Sequence, residues 1–150
     1  MKIKIAWIGK TKEPAIQSLT DEYLKRLARY AQVESGALKD EATLLSLGGR
    51  GGRQRAHAKN YLVLLDVRGK QFSSGELAQF LREHQERNPL PVTFAVGPAN
   101  GFSEEARGSA NLLMSLGRMT LAHELARVVL VEQLYRAFTI MKGHPYHLGH

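Results

Sequence analysis

The side chains with the most chemical potential cluster in the last third of the chain. His123 opens a long apolar segment, and Glu132 and Arg136 stand four residues apart within it. His144, Tyr146 and His147 follow in a short tail. The spacing of Glu132 and Arg136 lets them pair on one helical face, and a structural ion pair is the default reading; recognition of a partner chain or a substrate phosphate by Arg136 is the alternative. His144, His147 and His150 recur every third residue, but Pro145 keeps them from lining one helix face, so no metal cluster is expected. No cysteine is present, which leaves neither a disulfide framework nor a thiolate metal site. The chain has no His-Glu-x-x-His helix, no Gly-x-Ser-x-Gly elbow and no phosphate-cradling Gly-Lys-Ser/Thr loop.

Elements with α/β alternation must position these groups. Lys2 to Ile8 alternates charged and apolar residues like a half-buried strand, and Gly9 ends it. From Glu13, the spacing of Ile16, Leu19, Tyr23, Leu27 and Tyr30 predicts an amphipathic helix. Its basic flank of Lys25, Arg26 and Arg29 reads as a solvated face, with phosphate contact the less favoured alternative. A short strand around Val33 and a short helix from Ala42 to Leu47 follow. Gly48 to Arg55 holds four glycines and three arginines in eight residues, which predicts a mobile basic loop able to wrap phosphates or to be a plain surface excursion.

Tyr61 to Leu65 and Val92 to Val96 are continuous apolar runs, the pattern of parallel strands buried on both faces. Ser73-Ser74 can cap a helix carrying Leu77, Phe80, Leu81 and His84, the last read as a structural or exposed residue. Another helix begins at Phe102-Ser103, with Glu104 and Glu105 where the helix dipole favours negative charge. A further strand is expected from about Ser115 to Leu121, running straight into the final helix. That helix is apolar on almost every side, so it must be covered on more than one side. The result is one α/β domain over residues 1–150, a mostly parallel sheet flanked by helices. Ligands of such sheets gather at the carboxyl ends of the strands. Three such ends stand out: Leu65-Asp66, Gly97 to Gly101, and Leu116 to His123.

The formal charge of +7, from 21 Lys and Arg against 14 Asp and Glu, favours a polyanionic partner without requiring one. No apolar stretch approaches the roughly 18 residues of a membrane span. A soluble, cytoplasmic protein with neither membrane nor metal partner is therefore expected.

The run His123-x-Leu-x-Arg127-x-x-Leu-x-Glu132-Gln-Leu-Tyr135-Arg136-Ala, followed by Ile140, Gly143 and Pro145-Tyr-His147, resembles the signature of the RlmH (formerly YbeA) family. Those are small SPOUT-class methyltransferases of 23S ribosomal RNA. The lysine-alternating first strand, Leu65-Asp66 with Gly69-Lys70, and the glycine loop before a helix extend the resemblance over nearly the whole chain. The segment from about Gln32 to Lys59 matches least.

The resemblance implies a C-terminal deep trefoil knot, S-adenosyl-L-methionine bound inside it, and a homodimer whose sites are each completed by the partner. It implies methylation of N3 of a pseudouridine in the helix 69 loop of 23S rRNA in the ribosome. The methyl donor would rest against Leu65 and Asp66, against Gly97, Pro98 and Gly101, and against Gly117, Arg118, Met119, Thr120, Leu121 and Ala122. His123 and His147 carry imidazoles and are candidates to assist the N3 proton; Tyr146 is a candidate to stack on or hydrogen-bond the uracil. Arg127, Glu132 and Arg136 become candidates for RNA contact or for pairing across the dimer seam.

Two positions depart from the family pattern. The glycine loop usually opens Gly-Gly, whereas Pro98 follows Gly97 here and removes a backbone donor. A basic residue usually follows Pro-Tyr-His, whereas here it is Leu148; Arg50, Arg53 or Arg55 are the substitute cations. The alternatives are a ribosome-binding or assembly module of the same fold with impaired transfer, and a SPOUT enzyme acting on another RNA site.

Overall fold

The structure is a computed structural model that describes residues 1–48 and 59–147. Five strands, β1 (Lys2–Ile8), β2 (Gln32–Leu38), β3 (Tyr61–Gln71), β4 (Val92–Val96) and β5 (Leu112–Ser115), form one sheet in the order β2-β1-β4-β3-β5. Every pair in it is parallel. The continuous apolar runs occupy the middle of the sheet as expected, and all five residues of β4 are buried. On the edge pair, Lys2 and Lys4 reach Glu34 of β2 at 2.8 and 3.8 Å.

Helices cover both faces. α1 (Pro14–Leu27), α3 (Ser74–Arg87) and α5 (His123–Lys142) share one core with Ile3, Ile5, Phe94 and Val96. α2 (Glu41–Leu45) and α4 (Glu104–Ser109) pack on the other face around Leu62, Leu64 and Phe102. The expected caps are in place. Ser73 and Glu76 form a reciprocal capping box on α3, and Ser103 accepts the Ala106 amide at the start of α4. His84 proves structural: it is buried, with Nε2 2.7 Å from the Leu90 carbonyl oxygen.

The apolar α5 is covered by α1, α3 and the sheet. Leu130, Val131, Leu134 and Ala137 have no exposed surface within a single chain, each larger side chain contributing about 1.5–3 kcal/mol of burial. Leu125 in the first turn of α5 is 51% exposed.

Two elements differ from expectation. β3 does not stop at Leu65. It bulges at 66–69 and rejoins β5, so that both Leu65 and Lys70 lie opposite Met114. Gly69 permits this return, since a Cβ there would sit 2.5 Å from the Leu113 carbonyl carbon. The strand expected from Ser115 to Leu121 is instead Leu112–Ser115, and residues 116–122 form no ladder. The Ser115 hydroxyl bonds both the amide (3.1 Å) and the carbonyl (2.7 Å) of Gly117, and Gly117 adopts φ 148°. This local turn draws the backbone away from the sheet.

Candidate active site

All three expected strand ends open into one cavity of about 350 Å³. Leu65 enters from β3 where its first ladder ends, with Asp66, Val67 and Arg68 on its bulge. Val96 and the whole turn from Gly97 to Phe102 enter from β4. Ser115, Leu116, Gly117, Met119, Thr120 and Leu121 come from the segment after β5, and His123 and Ala126 from the first turn of α5. Arg118 and Ala122 do not line it; both are exposed, and Ala122 is the N-cap of α5.

Backbone shape dominates this wall. The Gly101 amide donates to the Pro98 carbonyl at 2.8 Å, closing a turn in which Gly101 has φ 79°. Pro98 thus occupies the first position of that turn and serves as its acceptor. Gly97 lets the Phe102 ring close against the backbone, because a Cβ at Gly97 would lie 3.1 Å from it.

Arg107, which drew no attention in the sequence, ties the turn to β3. It donates to the Phe102 carbonyl at 2.5 Å, approaches Asp66 at 3.6 Å and pairs with Glu104. Asp66 also accepts the Arg68 amide at 2.8 Å, so its carboxylate is held from two sides. Only the placement of Arg107 one turn after the Ser103 cap hinted that it would face the cavity.

The first turn of α5 is fixed from the β1–α1 loop. Glu124 accepts the amides of Lys12 and Glu13 at 2.9 and 3.2 Å, capping α1, whose own N-cap side chain makes no such bond. Those two backbone hydrogen bonds hold the Glu124 carboxyl below the usual carboxylate range. Arg127, expected at a seam or on RNA, is corrected by its placement. It is 1% exposed and turned into its own chain, donating to Thr11 Oγ1 at 2.9 Å and to the Ile8 carbonyl at 3.3 Å. Its guanidinium also lies 5.4 Å from the centre of the Trp7 ring, and burial lowers its affinity for its proton.

The tail forms a second cluster. Residues 145–147 make a 3-10 turn that folds back on α5, with Tyr146 reaching Tyr23 of α1. The Tyr146 hydroxyl donates to Glu132 Oε1 at 3.3 Å and lies 3.4 Å from the Tyr23 hydroxyl. Its ring meets Tyr135 edge-on at 4.7 Å, with the Arg136 guanidinium 5.1 Å away. Glu132 and Arg136 form the expected ion pair at 2.6 Å. Burial, the Tyr23 hydroxyl and the Glu132 charge push the Tyr146 phenol well above its ordinary range, so it is a donor at neutral pH. On the helix, Glu132 is about 14 Å beyond His123; the tail and the cavity of one chain are therefore separate. The His147 side chain, Arg50, Arg53, Arg55 and Leu148 lie outside the described residues.

A family model described as "Predicted SPOUT methyltransferase" matches residues 1–147. The chain is 53% identical, over 100% of both proteins, to the ribosomal RNA large subunit methyltransferase H of Koribacter versatilis. It is 41% identical to the protein of that name from Geotalea daltonii, covering 98% of this chain and 99% of the other. Among solved structures, a probable methylase family protein from Haemophilus influenzae matches with a TM-score of 0.59 at 13% identity, covering 96% of this chain and 69% of that one. The SpoU methyltransferase AviRb from Streptomyces viridochromogenes, solved with AdoMet, matches with a TM-score of 0.55 at 12% identity, covering 95% and 58%.

Proposed function

Because the chain belongs to the SPOUT methyltransferase family, we propose that it methylates N3 of a pseudouridine in the helix 69 loop of 23S rRNA, with S-adenosyl-L-methionine as donor, and works as a homodimer. The single observation that carries this reading is the convergence of 65–68, 97–102 and 115–121 on one cavity with His123 at its edge. The chain's full-length similarity to ribosomal RNA large subunit methyltransferase H proteins supports the substrate class.

The residues present fit the donor. A volume of about 350 Å³ suits a small ligand. Gly97, Gly101 and Gly117 put backbone rather than side chains on the wall, while Val96, Leu65 and Leu116 supply apolar surface for a purine. When bound, the donor supplies an electrophilic methyl group on a sulfonium. The trefoil knot belongs to the same reading, in which the segment after β5, lining one cavity with the 97–102 turn, would thread the knot.

The protein's own share is positioning and proton management. N3 of the uracil gains the methyl and must lose its imide proton. His123 at the cavity edge and His147 in the tail are the bases assigned to that proton. Tyr146, protonated and oriented by Glu132 and Tyr23, hydrogen-bonds or stacks on the base. Tail and cavity lie apart within one chain, so the tail serves the cavity of a second copy.

Calorimetric titration with S-adenosylmethionine tests the donor; no binding by folded, dimeric protein overturns it. Mass spectrometry of 23S rRNA from a strain lacking the gene tests the acceptor. One methyl is expected to vanish from the helix 69 loop, and its retention excludes that target.

A further inference from the structure

Among the described residues one carboxylate lines the cavity, that of Asp66 on the β3 bulge, and its side chain is 9% exposed. Oδ1 accepts the Arg68 amide at 2.8 Å and has Arg68 Nε 3.5 Å away. Oδ2 lies 3.6 Å from Arg107 Nη1, an ion-pair distance too long for a direct hydrogen bond. Arg107 Nη1 gives its hydrogen bond to the Phe102 carbonyl instead. Oδ2 is therefore nearly buried and charge-compensated, yet it accepts no hydrogen bond among the described residues. A buried acceptor in that state costs free energy until a donor reaches it, and Asp66 lines the cavity from which a ligand's donor would come.

The surrounding charges select the kind of donor. Asp66 and Glu104 face Arg68 and Arg107, with Glu104 pairing to both arginines. Two carboxylates and two guanidiniums cancel, so a cationic ligand group gains no net attraction and meets Arg107 beside the unbonded oxygen. A neutral hydroxyl meets no such repulsion and makes a charge-assisted hydrogen bond. On an S-adenosyl ligand the neutral donors are the adenine amino group and the ribose hydroxyls. The purine is allotted to the apolar wall of Val96, Leu65 and Leu116, which leaves the ribose for the polar bulge at the strand's carboxyl end.

Arg107 sets this acceptor against the 97–102 turn, its guanidinium spanning the Phe102 carbonyl and Asp66. The amide of the same peptide, on Ser103, donates to Glu41 at 2.7 Å. The peptide that ends the turn is thus held through both its carbonyl and its amide.

We propose that Asp66 determines specificity for the ribose of the donor, Oδ2 accepting from the vicinal diol, and that Arg107 is a positioning residue acting through Asp66. This rests on the reading that S-adenosylmethionine occupies the cavity.

Calorimetry with S-adenosylhomocysteine, 5′-methylthioadenosine and the 2′,3′-dideoxy analogue of methylthioadenosine tests it, alongside thermal unfolding. Methylthioadenosine keeps the diol and lacks the amino-acid end; its dideoxy analogue lacks both. The unaltered protein is expected to bind methylthioadenosine about tenfold more tightly than the dideoxy analogue. Asp66→Asn should weaken methylthioadenosine by about the same factor, leave the dideoxy analogue alone and keep nearly the full melting temperature. Arg107→Lys keeps a donor for the Phe102 carbonyl and loses the planar fork. It should weaken methylthioadenosine several-fold, spare the dideoxy analogue and add nothing to Asp66→Asn in the double variant. Equal binding of the two nucleosides by the unaltered protein overturns the proposal whatever the variants do. So does an Asp66→Asn loss that falls on both nucleosides alike, or one confined to S-adenosylhomocysteine, which would give the oxygen to the amino-acid ammonium. An additive loss in the double variant overturns the role of Arg107. Failure of the unaltered protein to bind S-adenosylmethionine or S-adenosylhomocysteine would instead strike the reading that the donor occupies this cavity.

Discussion

Arg127 Nη1 donates to Thr11 Oγ1 at 2.9 Å across 116 residues of sequence. Among the described residues no carboxylate bonds this buried guanidinium and its Nε has no partner; it is held by backbone carbonyls, a hydroxyl and the Trp7 ring. The contact fastens the first turn of α5, and with it His123 and Ala126 of the cavity wall, to the end of β1. A buried cation is expensive, so its removal reveals how much the loop depends on it.

Arg127→Ala deletes the stem packing and leaves the Ile8 carbonyl without this donor. It should destabilise the protein by about 2–4 kcal/mol in urea unfolding. Thr11→Val removes one acceptor at constant shape and should cost about 1 kcal/mol. Equal stability of the Arg127→Ala and Thr11→Val proteins would show that the guanidinium contributes nothing beyond this one hydrogen bond.

Glu124 gives a pH-dependent version of the same latch. Its folded-state pKa is lowered by the Lys12 and Glu13 amides. A depressed carboxylate pKa contributes stability that is present above the unfolded value of about 4.3 and is lost as pH falls through the folded value. Unfolding midpoints measured from pH 6 down to about pH 3 should fall less steeply for Glu124→Gln than for the unaltered chain. Parallel curves for the two proteins would remove the capping contact from the account.

α5 carries both buried and exposed apolar side chains. Val131 and Leu134 are fully buried within one chain, whereas Leu125 on the same helix is 51% exposed. Val131→Asp or Leu134→Asp buries an unpaired carboxylate and should unfold the protein. Leu125→Glu should leave thermal stability of the monomer nearly intact while weakening dimers in sedimentation velocity at micromolar concentrations. Unchanged sedimentation for Leu125→Glu would exclude Leu125 from the proposed dimer contact.

The alternation of strand and helix was legible because the buried runs 61–65 and 92–96 and the helical spacing in α1 and α3 are strong local patterns. The cavity was legible because parallel strands deliver their carboxyl ends to one side. The sequence reads as a strand from about Ser115 to Leu121, but Gly117 at φ 148° and the Ser115 turn end the ladder at Ser115. Arg127 looked like an isolated cation in an apolar helix, and nothing local shows that its acceptors are supplied by Ile8 and Thr11. Arg26 likewise reads as a solvated residue until Tyr135 arrives from the far end of the chain. Long-range pairing of this kind leaves no periodic trace.

Two glycines distinguish shape needed for ligand from shape needed for fold. At Gly69 a Cβ would sit 2.5 Å from the Leu113 carbonyl carbon, in backbone that cannot yield without breaking the β3–β5 return. Gly69→Ala should therefore cost several kcal/mol and lower the melting temperature of the protein by on the order of 10 °C. At Gly97 a Cβ would meet only the Phe102 ring, at 3.1 Å, and a ring can shift by a few tenths of an ångström. That shift moves a cavity wall, because Gly97 and Phe102 both line the site. Gly97→Ala should keep nearly the full melting temperature and bind S-adenosylmethionine about tenfold more weakly, a change of about 1.4 kcal/mol. Calorimetry paired with thermal unfolding checks both, and a Gly97→Ala protein with wild-type affinity would take the 97–102 turn out of the donor site.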